Sequence, residues 1–174
     1  MGAHEQGADA VKGRWRVVAR TLCFIMHGDD VLLMKRAAHK RVFPNRYNGV
    51  GGHMERYEDP LECARREIWE ETGLDAVHLR LRAVYNIDSG GDGGIVLFVF
   101  TGEAATRETR ASDEGSLHWV AREQVYELPL VEDLPHLLPR IFAMGESDPP
   151  YFVHVEYDPN DQIVMRWQQE EMDR

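Results

Sequence analysis

Between Gly52 and Leu74 the chain is built to form a helix whose polar side is crowded with acid. Asp59 is a good N-cap, because a short carboxylate can accept the backbone N–H groups that the first turn leaves without partners. Pro60 suits the first helical position, and Glu62 stands where a capping box wants an acid. Leu61, Ala64 and Ile68 recur at helical spacing and Gly73 is a natural stop, which predicts a helix over 60–72. On that helix Glu67, Glu70 and Glu71 stand at i, i+3 and i+4 and share one face. Like charges at this spacing repel by about 0.2–0.5 kcal/mol per pair on an exposed helix, and by more at the edge of a core.

Something must offset that repulsion. Carboxylate oxygens suit hard divalent cations such as Mg²⁺ or Mn²⁺. Upstream, Gly51 and Gly52 in the run YNGVGG let the backbone approach a ligand or a metal closely. Glu58 lies just before the N-cap, and Arg66 can hold it, or orient a glutamate, through a two-pronged guanidinium contact. Taken alone, the three glutamates favour a solvated acidic helix face over a metal site.

Elsewhere the chain alternates between strands and helices. Val17–Met26 and Val31–Arg36 read as a hairpin about His27-Gly28-Asp29-Asp30, followed by a basic loop, Ala37–Arg46. Ala83–Ile87 and Ile95–Glu103 form a second hairpin around a glycine-rich turn, and Leu117–Val120 is a short strand. Arg122–Tyr126 reads as one helical turn. Asp133 is expected to cap a second helix over Leu134–Met144, with Pro135 in its first turn and Pro139 inside. Tyr151–Tyr157 and Gln162–Trp167 alternate as strands. Hairpins mixed with helices, without repeated βαβ units, predict an α+β fold arranged as an α/β/α sandwich. The expected division is a polar extension at 1–13, one domain at 14–168 and a frayed tail at 169–174.

Composition narrows the function. Twenty Lys and Arg against thirty Asp and Glu give 20 − 30 = −10. Such a chain is repelled by polymeric phosphate and by anionic lipid, so a nucleic-acid polymer is not an expected partner. A small phosphorylated ligand remains compatible if a cation mediates the contact. Cys23 and Cys63 form no close ligand pair and are expected as buried free thiols. No apolar run approaches ~20 residues, so no membrane span is expected. Without a secretory-type apolar segment at the start, the cytoplasm is the default compartment.

The full spacing is Gly52, five residues, Glu58, seven residues, Arg66-Glu67-Ile68, one residue, Glu70-Glu71, one residue, Gly73-Leu74. At about one chance in fifteen per fixed position, seven matches have odds of order 10⁻⁸ per starting point. This is a complete Nudix box, and the sequence resembles the MutT/Nudix hydrolase superfamily. The resemblance implies a Nudix-type α/β/α sandwich with a mixed β-sheet, and hydrolysis of a nucleoside diphosphate linked to another moiety with Mg²⁺ or Mn²⁺. By position it implies Glu67, Glu70 and Glu71 as metal ligands, with Glu67 or Glu70 also helping to activate water. The Gly52 carbonyl is a further ligand candidate, and Glu58 with Arg66 is the pair that shapes the loop.

Within the superfamily the chain resembles diphosphatases that act on oxidised purine nucleoside triphosphates, releasing a monophosphate and pyrophosphate. Asn48 matches a position where those enzymes read a purine. Glu114 matches an additional acid near the metals, Glu132-Asp133 an acidic pair at the base edge, and Lys35 a basic side chain that reaches the pocket. Leu130 and His53 depart from that pattern, standing where a tryptophan and a lysine are usual. ADP-ribose, nucleotide-sugar or dinucleoside polyphosphate hydrolysis are the alternative substrates. A nucleotide-sensing domain without catalysis is the alternative of another class. A homodimer is compatible with the family.

Overall fold

The computed structural model of the chain describes Gly7, residues 13–110 and residues 112–168. Apart from Gly7 and Gly13, the expected N-terminal extension lies outside those residues, as does the tail at 169–174.

Strands β1 (Arg16–His27) and β2 (Asp30–Arg36) form the expected hairpin, with Gly28 in the left-handed region at φ 62°. A short β3 (Tyr47–Asn48) follows, then helix α1 (Pro60–Thr72), β4 (Ala76–Asp88), β5 (Gly93–Ala104) and β6 (Gly115–Ala121). A 3₁₀ turn (Val125–Glu127), helix α2 (Leu134–Ala143), β7 (Tyr151–Tyr157) and β8 (Ile163–Trp167) complete the chain. The strands make one eight-stranded sheet in the order β3-β2-β1-β5-β4-β7-β8, with β6 along the other edge of β2. β1 runs parallel to β5 and β4 parallel to β7, while the remaining strand pairs are antiparallel, so the sheet is mixed.

Side-chain alternation sorts the core into two layers. Leu22 and Phe24 of β1 and Val31 and Leu33 of β2 join Leu134, Leu137, Leu138 and Ile141 of α2 on one face. Their neighbours Cys23, Ile25, Leu32 and Met34 join Ala64 and Ile68 of α1 on the other. The sheet therefore carries one helix on each face, as the α/β/α expectation requires. Fully burying a side chain such as Ile68, which has no solvent exposure, contributes about 1.5–3 kcal/mol.

Three local features depart from the sequence reading. The glycine-rich run, to which the sequence assigned no strand, pairs with the sheet. β1 pairs with β2 only from Ile25 to His27, and residues 50–54 enter the gap between the two strands. Val50 exchanges backbone hydrogen bonds with Cys23 at 2.7 and 3.1 Å, Thr21 N–H donates to Gly52 O at 2.9 Å and Met54 N–H to Ala19 O at 3.0 Å. The glycines hide this pairing because they weaken a strand pattern, yet the wedge needs them: a Cβ at Gly49 or Gly51 would overlap the backbone of β1. Strand β4 is longer than read. It shifts register between Val77 and Arg80 and again between Leu81 and Ala83, and these bulges break the alternation that a sequence scan relies on. Finally, Asp133 precedes α2 in a right-handed conformation, at φ −80° and ψ −25°, with no side-chain capping hydrogen bond, so its expected capping role is corrected. Among the described residues no helix is long and apolar enough to cross a membrane.

Candidate active site

Helix α1 begins as its sequence dictates. Asp59 Oδ1 accepts the N–H groups of Leu61 at 2.8 Å and Glu62 at 2.9 Å, and Glu62 Oε2 accepts the Asp59 N–H at 3.0 Å. The helix ends on Gly73 at φ 74°, whose N–H donates to Trp69 O. Buried Ala64 and Ile68 fix the helix against the sheet, and this sets the outward angle of the next residues. Trp69, on the helix's other side, is 54% exposed, with the Arg110 guanidinium over its ring at 5.3 Å.

Arg66 is the hub of the acidic face. Its Nε and one terminal nitrogen donate to Glu58 at 2.9 and 2.7 Å, and its other terminal nitrogen donates to Glu67 Oε1 at 2.9 Å and to Glu70 Oε2 at 3.0 Å. It also donates to the His53 carbonyl at 3.1 Å, so one guanidinium ties the helix to the wedge. The side-chain hydrogen bond to Arg66 holds the Glu58 carboxyl down at about 2.

Glu67 and Glu70 differ in setting. The Glu67 side chain is 13% exposed and that of Glu70 is 55% exposed. Burial raises the Glu67 carboxyl above its usual range against the pull of Arg66. Glu71 turns towards the wedge, where Gly51 N–H donates to its Oε2 at 2.9 Å. Burial pushes Glu71 up to about 7, the Gly51 N–H opposes that, and Glu67 and Glu114 add repulsion. A Cβ at Gly52 would overlap the Glu67 carboxylate, so glycine is required for this close approach. The Gly52 carbonyl already accepts the Thr21 N–H, which leaves it one lone pair.

The other anticipated residues divide. Glu114 acts electrostatically on Glu71, which puts it in the same acidic neighbourhood, and it pairs with Lys40 Nζ at 2.6 Å. Lys35 lies on the opposite face of the sheet, with its Nζ 5.8 Å from the Tyr47 ring centre. It also lines a shallow cleft of about 300 Å³ with Asn45 and Asp113. Asn48 spends its side-chain oxygen on the Gly49 N–H at 2.9 Å, a turn-type bond. Glu132 and Asp133 immediately precede α2, with Glu132 exposed. Burial pushes Asp133 up to about 6, and Tyr157 is raised to about 12, first by burial and then by its hydrogen bond to Glu132. Cys23 and Cys63 are buried free thiols, as expected.

Sequence reading missed two arginines. Arg36 acts on Glu71 from the end of β2. Arg20 pairs with His53 across the wedge, beside Gly52. Nothing in a linear pattern marks either, because the wedge that brings β1 to the box is itself invisible in sequence.

Among the described residues no three His, Cys, Asp or Glu groups close on a common point as a metal cage would. The donor set nonetheless fits a hard divalent cation. Three carboxylates crowd one ridge, two of them raised by burial, and the Arg66 cation bridges Glu67 and Glu70.

Residues 16–141 match the NUDIX domain family. The chain belongs to that family. It is 29% identical over 125 residues to the uncharacterized Nudix hydrolase YvcI of Bacillus subtilis (strain 168), spanning 68% of this chain and 75% of that protein. The crystal structure of a MutT protein from Bacillus halodurans is similar, with a TM-score of 0.73 and 26% identity over 88% of this chain and 99% of the other. A Nudix hydrolase from Nitrosomonas europaea, at 18% identity and a TM-score of 0.67, shares the fold over 81% of this chain and 80% of its own. The chain is thus a Nudix hydrolase, an enzyme of the pyrophosphohydrolase class, and Nudix hydrolases generally use divalent metals.

Proposed function

We propose that this Nudix hydrolase cleaves the diphosphate linkage of a small nucleoside diphosphate derivative, with Mg²⁺ or Mn²⁺ held by Glu67, Glu70, Glu71 and the Gly52 carbonyl. The observation that carries this reading is the ridge itself: three carboxylates against a glycine wedge, two of them raised by burial, with Arg66 and Arg36 as counter-charge. When bound, a divalent cation neutralises phosphate oxygens and lowers the pKa of its water. Around it, the chain's own residues position and exchange protons. Arg66 fixes the helix to the wedge and keeps Glu67 and Glu70 in register with each other. Glu67 or Glu70 accepts the proton of the attacking water. Glu71, hydrogen-bonded to Gly51, holds the wedge at the depth where the Gly52 carbonyl faces the same space. Glu114 extends the acidic cluster, and Arg36 meets phosphate oxygens. In-line placement and charge neutralisation supply most of the rate in phosphoryl transfer, so no covalent nucleophile is required.

The finer reading is an oxidised purine nucleoside triphosphate as substrate, giving a monophosphate and pyrophosphate. Its support is the resemblance at Asn48, Glu114, Glu132-Asp133 and Lys35. The domain spans residues 14–168, the cytoplasm is its compartment, and a homodimer is compatible with it. A panel of oxidised and normal nucleoside triphosphates, ADP-ribose, nucleotide sugars and dinucleoside polyphosphates, each with Mg²⁺ and Mn²⁺, tests the reading by phosphate and pyrophosphate release. Metal-dependent turnover that is strongest on oxidised purine triphosphates is expected. Turnover led by another member reassigns the substrate, and binding without turnover contradicts the enzyme.

A further inference from the structure

Two buried side-chain polar atoms lack a hydrogen-bond partner among the described residues: Arg20 Nε and the Tyr85 hydroxyl. They are not scattered. Arg20 pairs with Leu97 in β5, and Leu97 pairs with Tyr85 in β4, so the three form one row across the sheet and point to one face. The row extends to His53 of the wedge on one side and to Val153 and Trp167 on the other. The face is the one that α2 covers, because Leu97, Tyr85, Val153 and Trp167 all pack in its core. Neighbouring strands lie about 4.8 Å apart, so the Arg20 and Tyr85 backbones are separated by two such steps, within reach of two long side chains.

Both groups are costly as they stand. Arg20 is half-buried, makes no side-chain hydrogen bond or ion pair among the described residues, and is depressed by burial and by the nearby charge of Arg36. Tyr85 has no solvent exposure. A buried donor without an acceptor is rare, and a pair of them in one row beside a catalytic box calls for an occupant. Two charged groups act on the Tyr85 hydroxyl: Asp133, just before α2, and Arg140 of α2.

We propose that Arg20 and Tyr85 are specificity-determining residues that donate hydrogen bonds to an acceptor atom, a keto oxygen or ring nitrogen, on the organic group the substrate carries beyond its diphosphate. The inference rests on the diphosphatase reading only for the identity of the ligand as a nucleotide. Both atoms are closed from water, so binding must open this face.

The test uses Tyr85→Phe and Arg20→Met in the full chain. On the best nucleoside triphosphate of the panel, KM should rise about 10-fold in Y85F and about 10–100-fold in R20M, with kcat within about twofold of wild type. Binding of the corresponding nucleoside monophosphate, measured by calorimetry, should fall by the same factors. The melting temperature of ligand-free Y85F should equal or exceed that of wild type, because an orphaned hydroxyl is removed. Unchanged KM and unchanged monophosphate binding in both variants overturn the proposal. So does a lower melting temperature for Y85F with unchanged KM, which means that the hydroxyl has a partner within the protein. A fall in kcat alone for R20M overturns it by moving Arg20 to the reacting phosphates. If wild type hydrolyses no panel member, the diphosphatase reading fails and monophosphate binding alone decides: weakened binding in the variants sustains the proposal, and equal or absent binding ends it.

Discussion

The two faces of the sheet treat their charged groups in opposite ways. On the α1 face, crowded acids share one arginine: Arg66 meets Glu58, Glu67 and Glu70, and the Gly51 N–H meets Glu71. On the α2 face, Arg20 Nε and the Tyr85 hydroxyl have no hydrogen-bond partner among the described residues, while burial raises Asp133 to about 6. The first face is organised before anything binds, as electrostatic catalysis requires. The second keeps unsatisfied groups in its interior, which is the mark of a surface that recognises. On the proposed reading, chemistry belongs to the α1 face and selection to the α2 face, with the wedge of residues 50–54 lying in the sheet between them.

Variants can break this contrast. The largest effect is expected on the α1 face: Glu70→Gln should lower kcat by about 10²–10³-fold without unfolding the protein, since its side chain is mostly exposed. A rate within a few-fold of wild type would remove the acidic ridge from the chemistry. Ile68→Ala, which hollows the packing that aims the helix, should cost about 2–5 kcal/mol in denaturant unfolding and reduce turnover with it.

The α2 face gives a pH signature. Asp133 rises from its ordinary 3.8 to about 6 in the folded state. A raised carboxyl binds its proton more tightly when folded, so its contribution is fully present at low pH and is lost as pH climbs from about 4 through 6. The loss is at most ~3 kcal/mol. Asp133→Asn should flatten that slope and make the protein more stable than wild type at pH 7, as read by urea unfolding across pH 4–7. Equal slopes would show that Asp133 is not held against its burial. The smallest effect is expected from Asp59→Ala, about 1 kcal/mol, because it removes one cap from a helix that packing already holds.

How much of this was written in the chain follows from the range of the interactions. Helix α1 was legible to the residue, because Asp59, Pro60, Glu62 and Gly73 act within one turn of themselves. Strands β1 and β2 were legible as apolar runs, but their division into two core layers was not, because Leu22–Ile25 and Val31–Met34 are continuously apolar and buried on both faces. The pairing of residues 50–54 with β1 was not, since glycines there serve close approach rather than strand propensity. Strand β4 was half-hidden by its bulges. The acids of the box could be named from spacing, whereas Arg20 and Tyr85 become neighbours only through Leu97 in a third strand, a relation with no linear trace.

The central claim is that the acidic ridge on α1 takes up divalent cations. Titration of Mn²⁺ into the wild-type chain, followed by electron paramagnetic resonance, reads this directly. Saturable uptake that is lost or weakened at least about tenfold in Glu71→Gln and Glu67→Gln is the predicted result. No uptake by the wild type, or uptake equal in wild type and both variants, would contradict the account.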